Sequence, residues 1–101
     1  MSGTEEVILK TKDVNVRVLS LEPEEVLPWH FHSKVADNMF CLSGEILVRL
    51  RDPDEQITLR QGQRCEVRQG RVHQVANGGT TSAQYLLVQG VGKYDFNTVN
   101  S

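Results

Sequence analysis

Residues 44–79 read GEILVRLRDPDEQITLRQGQRCEVRQGRVHQVANGG, and the punctuation of this stretch decides the fold. Along Glu45–Leu50, Ile46, Val48 and Leu50 face one way, a period of two that marks a half-buried strand. Arg51-Asp52-Pro53-Asp54 follows as a turn, and an apolar run resumes at Ile57–Leu59. Gly62 breaks the chain before Cys65–Val67, and Gly70 breaks it before Val72–Ala76. Asn77-Gly78-Gly79 is the strongest hairpin signal in the chain, because these residues accept positive φ at little cost.

The same rhythm extends outward. Upstream, Val14, Val16 and Val18 alternate with Asn15 and Arg17, predicting another half-buried strand with the valines as its apolar face. Met39–Leu42 is a second apolar run, and Tyr85–Gln89 is a late one. Turn signals recur about every 8–12 residues, the spacing of an all-β sandwich or barrel. No stretch sustains a 3.6-residue period, so helix is the minority state. A closed barrel or jelly roll would also remove exposed strand edges from so small a chain.

The bulk properties fit one such unit. The 101 residues suit a single domain, 1–101, and a chain of this size buries roughly two-thirds of its unfolded surface without needing disulfides. The net charge of −2 leaves no basic footprint for nucleic acid and no polybasic patch for a membrane. No segment approaches the ~20 apolar residues of a spanning helix, and Met1–Lys10 lacks the basic start and apolar run of a signal peptide. Cys41 and Cys65 sit in apolar runs and form no CxxC pair. Reduced thiols in a cytoplasmic setting are therefore expected.

Chemistry concentrates on the histidines, of which the chain has three: His30, His32 and His73. Trp29-His30-Phe31-His32 is a His-x-His pair. On a strand, residues i and i+2 share a face, so both imidazoles point one way and Trp29 and Phe31 the other. Asp37 follows five residues after His32. Neutral imidazole plus carboxylate suits Fe, Mn, Co, Ni, Cu or Zn. By itself the pair is weak evidence for ligands, and two surface-strand histidines is the commoner reading.

The spacing resembles the cupin superfamily. Its first motif, Gly-x5-His-x-His-x(3,4)-Glu-x6-Gly, is matched by Glu24, His30, His32, Asp37 and Gly44. Its second, Gly-x5-Pro-x-Gly-x2-His-x3-Asn, is matched by Gly62, Arg68, Gly70, His73 and Asn77. The two motifs span 24–44 and 62–77, and every histidine falls on a ligand position. Three positions depart from the pattern. Glu24 replaces the first glycine, so the turn before His30 should differ; Arg68 replaces the proline; Asp37 replaces the glutamate. Aspartate reaches one methylene less far, which leaves it to bind directly, through water, or from behind the ligands.

The resemblance implies an all-β jelly-roll barrel of the small, RmlC-like kind, holding one divalent transition metal on His30, His32, Asp37 and His73. Strand parity then puts Met39 and Cys41 on the Asp37 face, and Arg71 and Val75 on the His73 face. Met39, Cys41, Tyr85 and Gln89 are candidates to line the pocket, with barrel core the competing reading for both Met39 and Cys41. Tyr94 and Phe96 could cap an open end or, with Trp29, pack on a partner; small cupins resembling this chain are commonly homodimers. The family acts on small oxygenated molecules, as oxygenases, decarboxylases, isomerases or cyclases, and includes non-catalytic binders. Three readings stay open: a metal-dependent enzyme, possible as a dioxygenase, isomerase or lyase; a non-catalytic metal- or ligand-binding module; and a metal-free pocket whose histidines bind the ligand directly.

Overall fold

A computed structural model of the chain describes residues 4–100. Met1 to Gly3 and Ser101, part of the single domain expected from the sequence, lie outside the described residues. The chain forms β1 (Thr4–Lys10), β2 (Val14–Leu21), β3 (His30–Phe31), β4 (Ala36–Ser43), β5 (Glu45–Leu50), β6 (Glu55–Arg60), β7 (Arg64–Val67), β8 (His73–Asn77), β9 (Ala83–Gly90) and β10 (Asn97–Thr98). There is no helix among the described residues, and so none long and apolar enough to cross a membrane.

The strands make two five-stranded antiparallel sheets, ordered β1-β2-β9-β4-β7 and β10-β3-β8-β5-β6. This is a jelly-roll arrangement, in which chain neighbours often lie in different sheets. Among the described residues no ladder joins the two sheets into a closed cylinder. Of the two arrangements expected above, a closed barrel or a jelly roll, the jelly roll is the one found, and its remaining edges are handled locally. The edge strand β1 carries a register irregularity between Val7 and Leu9, and a bulge discourages further pairing on an edge.

The inward residues of both sheets meet in one core. Ile46, Val48 and Leu50 alternate with half-buried neighbours along β5 and are buried. Met39 and Cys41 do the same on β4, and Tyr85 and Leu87 on β9. Burial of each such side chain contributes roughly 1.5–3 kcal/mol.

Three sequence readings change in the fold. The Asn77-Gly78-Gly79 segment is not a hairpin: β8 pairs with β3 and β5, whereas β9 pairs with β2 and β4. The segment is a crossover between sheets, shaped by Asn77. Its Nδ2 donates to the carbonyls of Leu21 (3.0 Å) and Thr81 (2.8 Å), and its Oδ1 accepts from the Gly79 N–H at 2.8 Å.

The period of two in β2 is present, but its inward face is the polar one. Asn15 is buried, and Arg17, Leu19 and Leu21 line the interior, while Val14, Val16 and Val18 lie half-buried on the outer face. The third change concerns Glu24. The turn at that position keeps the left-handed backbone of the motif glycine, with φ 69° at Glu24. Glu22-Pro23-Glu24-Glu25 closes with the Glu25 N–H on the Glu22 carbonyl at 3.0 Å. Proline second and positive φ third are the marks of a type II turn.

Candidate metal centre

His30 and His73 are opposite each other in the β3–β8 ladder, which brings their ring centroids to 4.2 Å. His32 lies just beyond the end of β3. Asp37 comes from β4, in the facing sheet. The four residues are buried, and one ligand atom from each lies within 4.8 Å of the others.

Backbone carbonyls set the ring orientations. His30 Nδ1 lies 2.8 Å from the Pro28 carbonyl, His73 Nδ1 2.8 Å from that of Arg71, and His32 Nδ1 2.6 Å from that of Asp95. With each Nδ1–H donating to a carbonyl, each Nε2 is the atom left to face a ligand. A hydrogen bond on one ring nitrogen is the usual device for orienting a ligating imidazole through the other. Asp95 is itself fixed by Ser33, whose N–H donates to Asp95 Oδ1 at 2.8 Å and whose hydroxyl donates to Oδ2.

Asp37 Oδ2 sits 3.1 Å from His73 Nε2 and 3.2 Å from His32 Nε2. Two donors bound about 2.1 Å from one metal stand roughly 3–3.5 Å apart, so these spacings fit a shared ion. The donor set fits as well, since imidazole with carboxylate is transition-metal chemistry. Asp37 Oδ1 accepts from Gln89 Nε2 at 2.9 Å. Asp37 and Gln89 are direct partners in the β4–β9 ladder.

Electrostatics follow from this packing. Burial and the neighbouring histidines hold His30 down to about 4. Burial pulls His32 the same way, but the Asp37 hydrogen bond and charge outweigh it and raise the ring. For Asp37, burial alone would raise the carboxyl; the His32 and His73 rings beside it, with the Gln89 amide, win and keep it well below the usual carboxylate range. The anion is thus fully formed at neutral pH.

A cavity of about 210 Å³ opens beside these residues. His30, His32 and Asp37 line it, whereas His73 is buried behind them. Met39, Tyr85 and Gln89 are on its wall; Cys41 is not. The Cys41 thiol turns instead toward the carbonyls of Ser43 and Gly44, so it is core rather than pocket lining. Arg71 shares the His73 parity only on paper. It precedes β8, and its guanidinium leaves for the Pro53 carbonyl and Glu55. Tyr94 and Phe96 lie at the cavity: Phe96 stacks on His30 at 4.5 Å while remaining exposed, and the half-buried Tyr94 lies 5.3 Å from the His32 ring. Trp29 is on the outside, under the Arg51 guanidinium. Sequence reasoning missed Arg17, which also lines the cavity; the inverted face of β2 hid it.

Fold and site together define a double-stranded β-helix with a three-histidine, one-carboxylate cluster beside a cavity. The Cupin domain profile matches residues 17–89, and the chain belongs to this family. No curated protein matches it. Among solved structures, it is similar to a conserved Klebsiella pneumoniae protein with a double-stranded β-helix domain, at 23% identity and a TM-score of 0.86, over 99% of this chain and 86% of that one. It is similar to oxalate oxidase at 17% identity and a TM-score of 0.84, over 97% of this chain and 55% of that one. The polyketide cyclase RemF from Streptomyces resistomycificus matches at 16% identity and a TM-score of 0.83, over 99% of this chain and 72% of that one. At these identities the likeness is one of fold.

Proposed function

We propose that this chain is a metal-dependent enzyme that binds one divalent transition metal on His30, His32, Asp37 and His73 and acts on a small oxygenated organic molecule, in an oxygenase-type reaction. The observation that carries the reading is the convergence of one ligand atom from each of His30, His32, Asp37 and His73 within 4.8 Å of one another, with the first three at the wall of a cavity. Asp37 binds directly through Oδ2, because that atom already lies among the imidazole nitrogens. Fe, Mn, Co, Ni, Cu and Zn all suit the donors. When bound, the metal supplies a Lewis acid for a carbonyl or a place to activate water or dioxygen. The chain's own residues do the rest. The Pro28, Arg71 and Asp95 carbonyls hold the rings, Gln89 holds Asp37, and Phe96 and Tyr94 pack on the His30 and His32 rings. Structures of an oxalate oxidase and of a polyketide cyclase share this fold, which supports an oxygen-bearing organic substrate.

A non-catalytic binding module is the second reading. It is favoured by the cavity wall, where Glu5, Tyr85 and Tyr94 are the remaining proton-transfer groups beyond the four proposed ligands, and burial raises both tyrosines. Elemental analysis of untagged protein beside His30→Ala and His73→Ala tests the metal, and turnover tests the enzyme. About one equivalent of metal per chain, lost in both variants, is expected. Full activity in a metal-stripped sample would refute the enzyme reading, and metal without turnover would favour the module.

A homodimer accompanies this reading, through a different surface from the one Tyr94 and Phe96 pointed to. The outer face of the first sheet carries Val16 opposite Val88, and Leu86 beside both Val18 and Phe40. All are half-buried in the isolated chain, and a contiguous apolar surface of this kind suits a partner. A clean 11.4 kDa species in light scattering would refute it. The two free thiols, Cys41 and Cys65, fit a reducing, cytoplasmic location.

A further inference from the structure

Among the described residues, the cavity wall carries one cation outside the proposed ligand set, Arg17. Arg17, on β2, has a side chain 14% exposed and lines the cavity wall. Its NH1 donates to Glu5 Oε2 at 2.7 Å, and its NH2 donates to Gln89 Oε1 at 2.7 Å. Its Nε is buried and has no hydrogen-bond partner among the described residues. The guanidinium is largely buried, its one anionic partner among the described residues is the half-exposed Glu5, and its donors form a fork that matches a carboxylate.

From the placement of this guanidinium, we propose that Arg17 recognises the carboxylate of the substrate, so that the cavity takes a small carboxylic acid with an apolar body. This deepens the functional reading above and shares its cavity. Gln89 fixes the distance between the two ends of the molecule. Its Oε1 accepts from Arg17 and its Nε2 donates to Asp37 at 2.9 Å. One amide thus separates the guanidinium from the metal-site carboxylate. A carboxylate on Arg17 leaves the neighbouring atoms of a short molecule within reach of the histidine cluster. Leu19, Leu27, Met39, Val75 and Leu87 supply the apolar wall. At about 210 Å³ the cavity lies below the roughly 300–1,000 Å³ of pockets for drug-sized ligands, which favours a compact molecule.

Glu5 is a replaceable partner for Arg17. Its side chain is 51% exposed, so it can turn to water when a substrate carboxylate arrives. An ion pair with one such solvated member contributes little. Displacing Glu5 removes a negative charge from the guanidinium at the moment another is bound, whereas Gln89, buried between Arg17 and Asp37, stays in place. The Tyr94 ring, 5.6 Å from the guanidinium, is positioned to cover the bound group.

The test is isothermal titration of benzoate and of its neutral isostere benzamide. It is run on the metal-free chain and on the Zn(II)-loaded chain, with zinc content measured on the same samples. Benzoate is expected to bind at least about tenfold more tightly than benzamide, as a charge-assisted pair should. Arg17→Gln is expected to abolish that ratio, and Glu5→Gln, which removes the competitor, to strengthen benzoate binding severalfold while leaving benzamide unchanged. Glu5→Gln lies at an exposed position and keeps the test decisive should Arg17→Gln fail to fold. Equal binding of the two ligands, no binding of either, or weaker benzoate binding in Glu5→Gln would overturn the role of Arg17. One equivalent of zinc without a benzoate preference sinks this inference alone. A benzoate preference without zinc in any sample sinks the metal reading and leaves Arg17 standing.

Discussion

Replacing Glu24 with glycine should stabilise the protein, and the expected gain can be worked from the backbone. Glu24 holds φ 69° at the third position of a type II turn. An L-residue held there costs about 1–2 kcal/mol relative to its relaxed conformation. The side chain is exposed, and no hydrogen bond or ion pair to it is found among the described residues, so truncation sacrifices little. Glycine brings its own penalty of roughly 0.5–1 kcal/mol through greater freedom in the unfolded chain. The net gain lies between about 0 and 1.5 kcal/mol, with roughly 0.5–1 kcal/mol at the middle of that range. For a chain of this size, 1 kcal/mol shifts Tm by roughly 4–8 °C, so a rise of about 2–8 °C is expected by calorimetry. Glu24→Ala retains the Cβ and the strain and should give none of it. The turn lies outside the metal cluster, and metal content should not change. A lower Tm for Glu24→Gly, or an equal gain from Glu24→Ala, would show that the turn does not store this strain.

Gly44→Ala should destabilise by more than about 2 kcal/mol, because φ is +72° and the new Cβ would stand 2.7 Å from the Ser82 carbonyl oxygen and 2.8 Å from Ala83 Cα; urea unfolding measures it, and a loss below about 1 kcal/mol would contradict the geometry. The metal-free protein should lose stability as pH falls from 6.5 toward 4. The unfolded chain protonates His30 near 6.5 while the folded chain refuses that proton until about 4. His32, raised in the fold, opposes this, since its contribution is present below 6.5 and lost as pH rises through its folded value. His30→Phe should therefore flatten the acid-side loss in urea titrations with chelator, and an unchanged slope would show that His30 does not cause it. Burial pushes the Cys65 thiol up to about 11, so its alkylation at pH 8 should be slow in the folded protein and rapid in urea; equal rates in a mass-spectrometric time course would contradict the packing.

The strands, the turns and the His30–His32 pair were legible in the sequence for a common physical reason: each depends on neighbours along the chain. A period of two places Ile46, Val48 and Leu50 on one face, and Gly44, Gly62 and Gly70 mark the left-handed turns. The spacing of His30 and His32 puts two imidazoles on one side. Pairing between distant strands depends on nothing local, and there the sequence was silent or misleading. Asn77-Gly78-Gly79 carries hairpin chemistry but joins strands of different sheets, because each flanking strand finds better partners elsewhere. Gln89 could be placed near the pocket from its strand, but only the β4–β9 register sets it opposite Asp37.

The clearest division falls in β2. Alternation of Val14, Val16 and Val18 with Asn15 and Arg17 determined that the segment is a strand with two unlike faces. It did not determine which face is inward, since a period of two is symmetric under exchange of the faces. Tertiary structure decided that. Leu19 and Leu21 continue the Arg17 face into the interior, so the polar residues ahead of them are carried inward. Asn15 and Arg17 then meet Gln89 at the end of the cavity, while the valines are left on the outside.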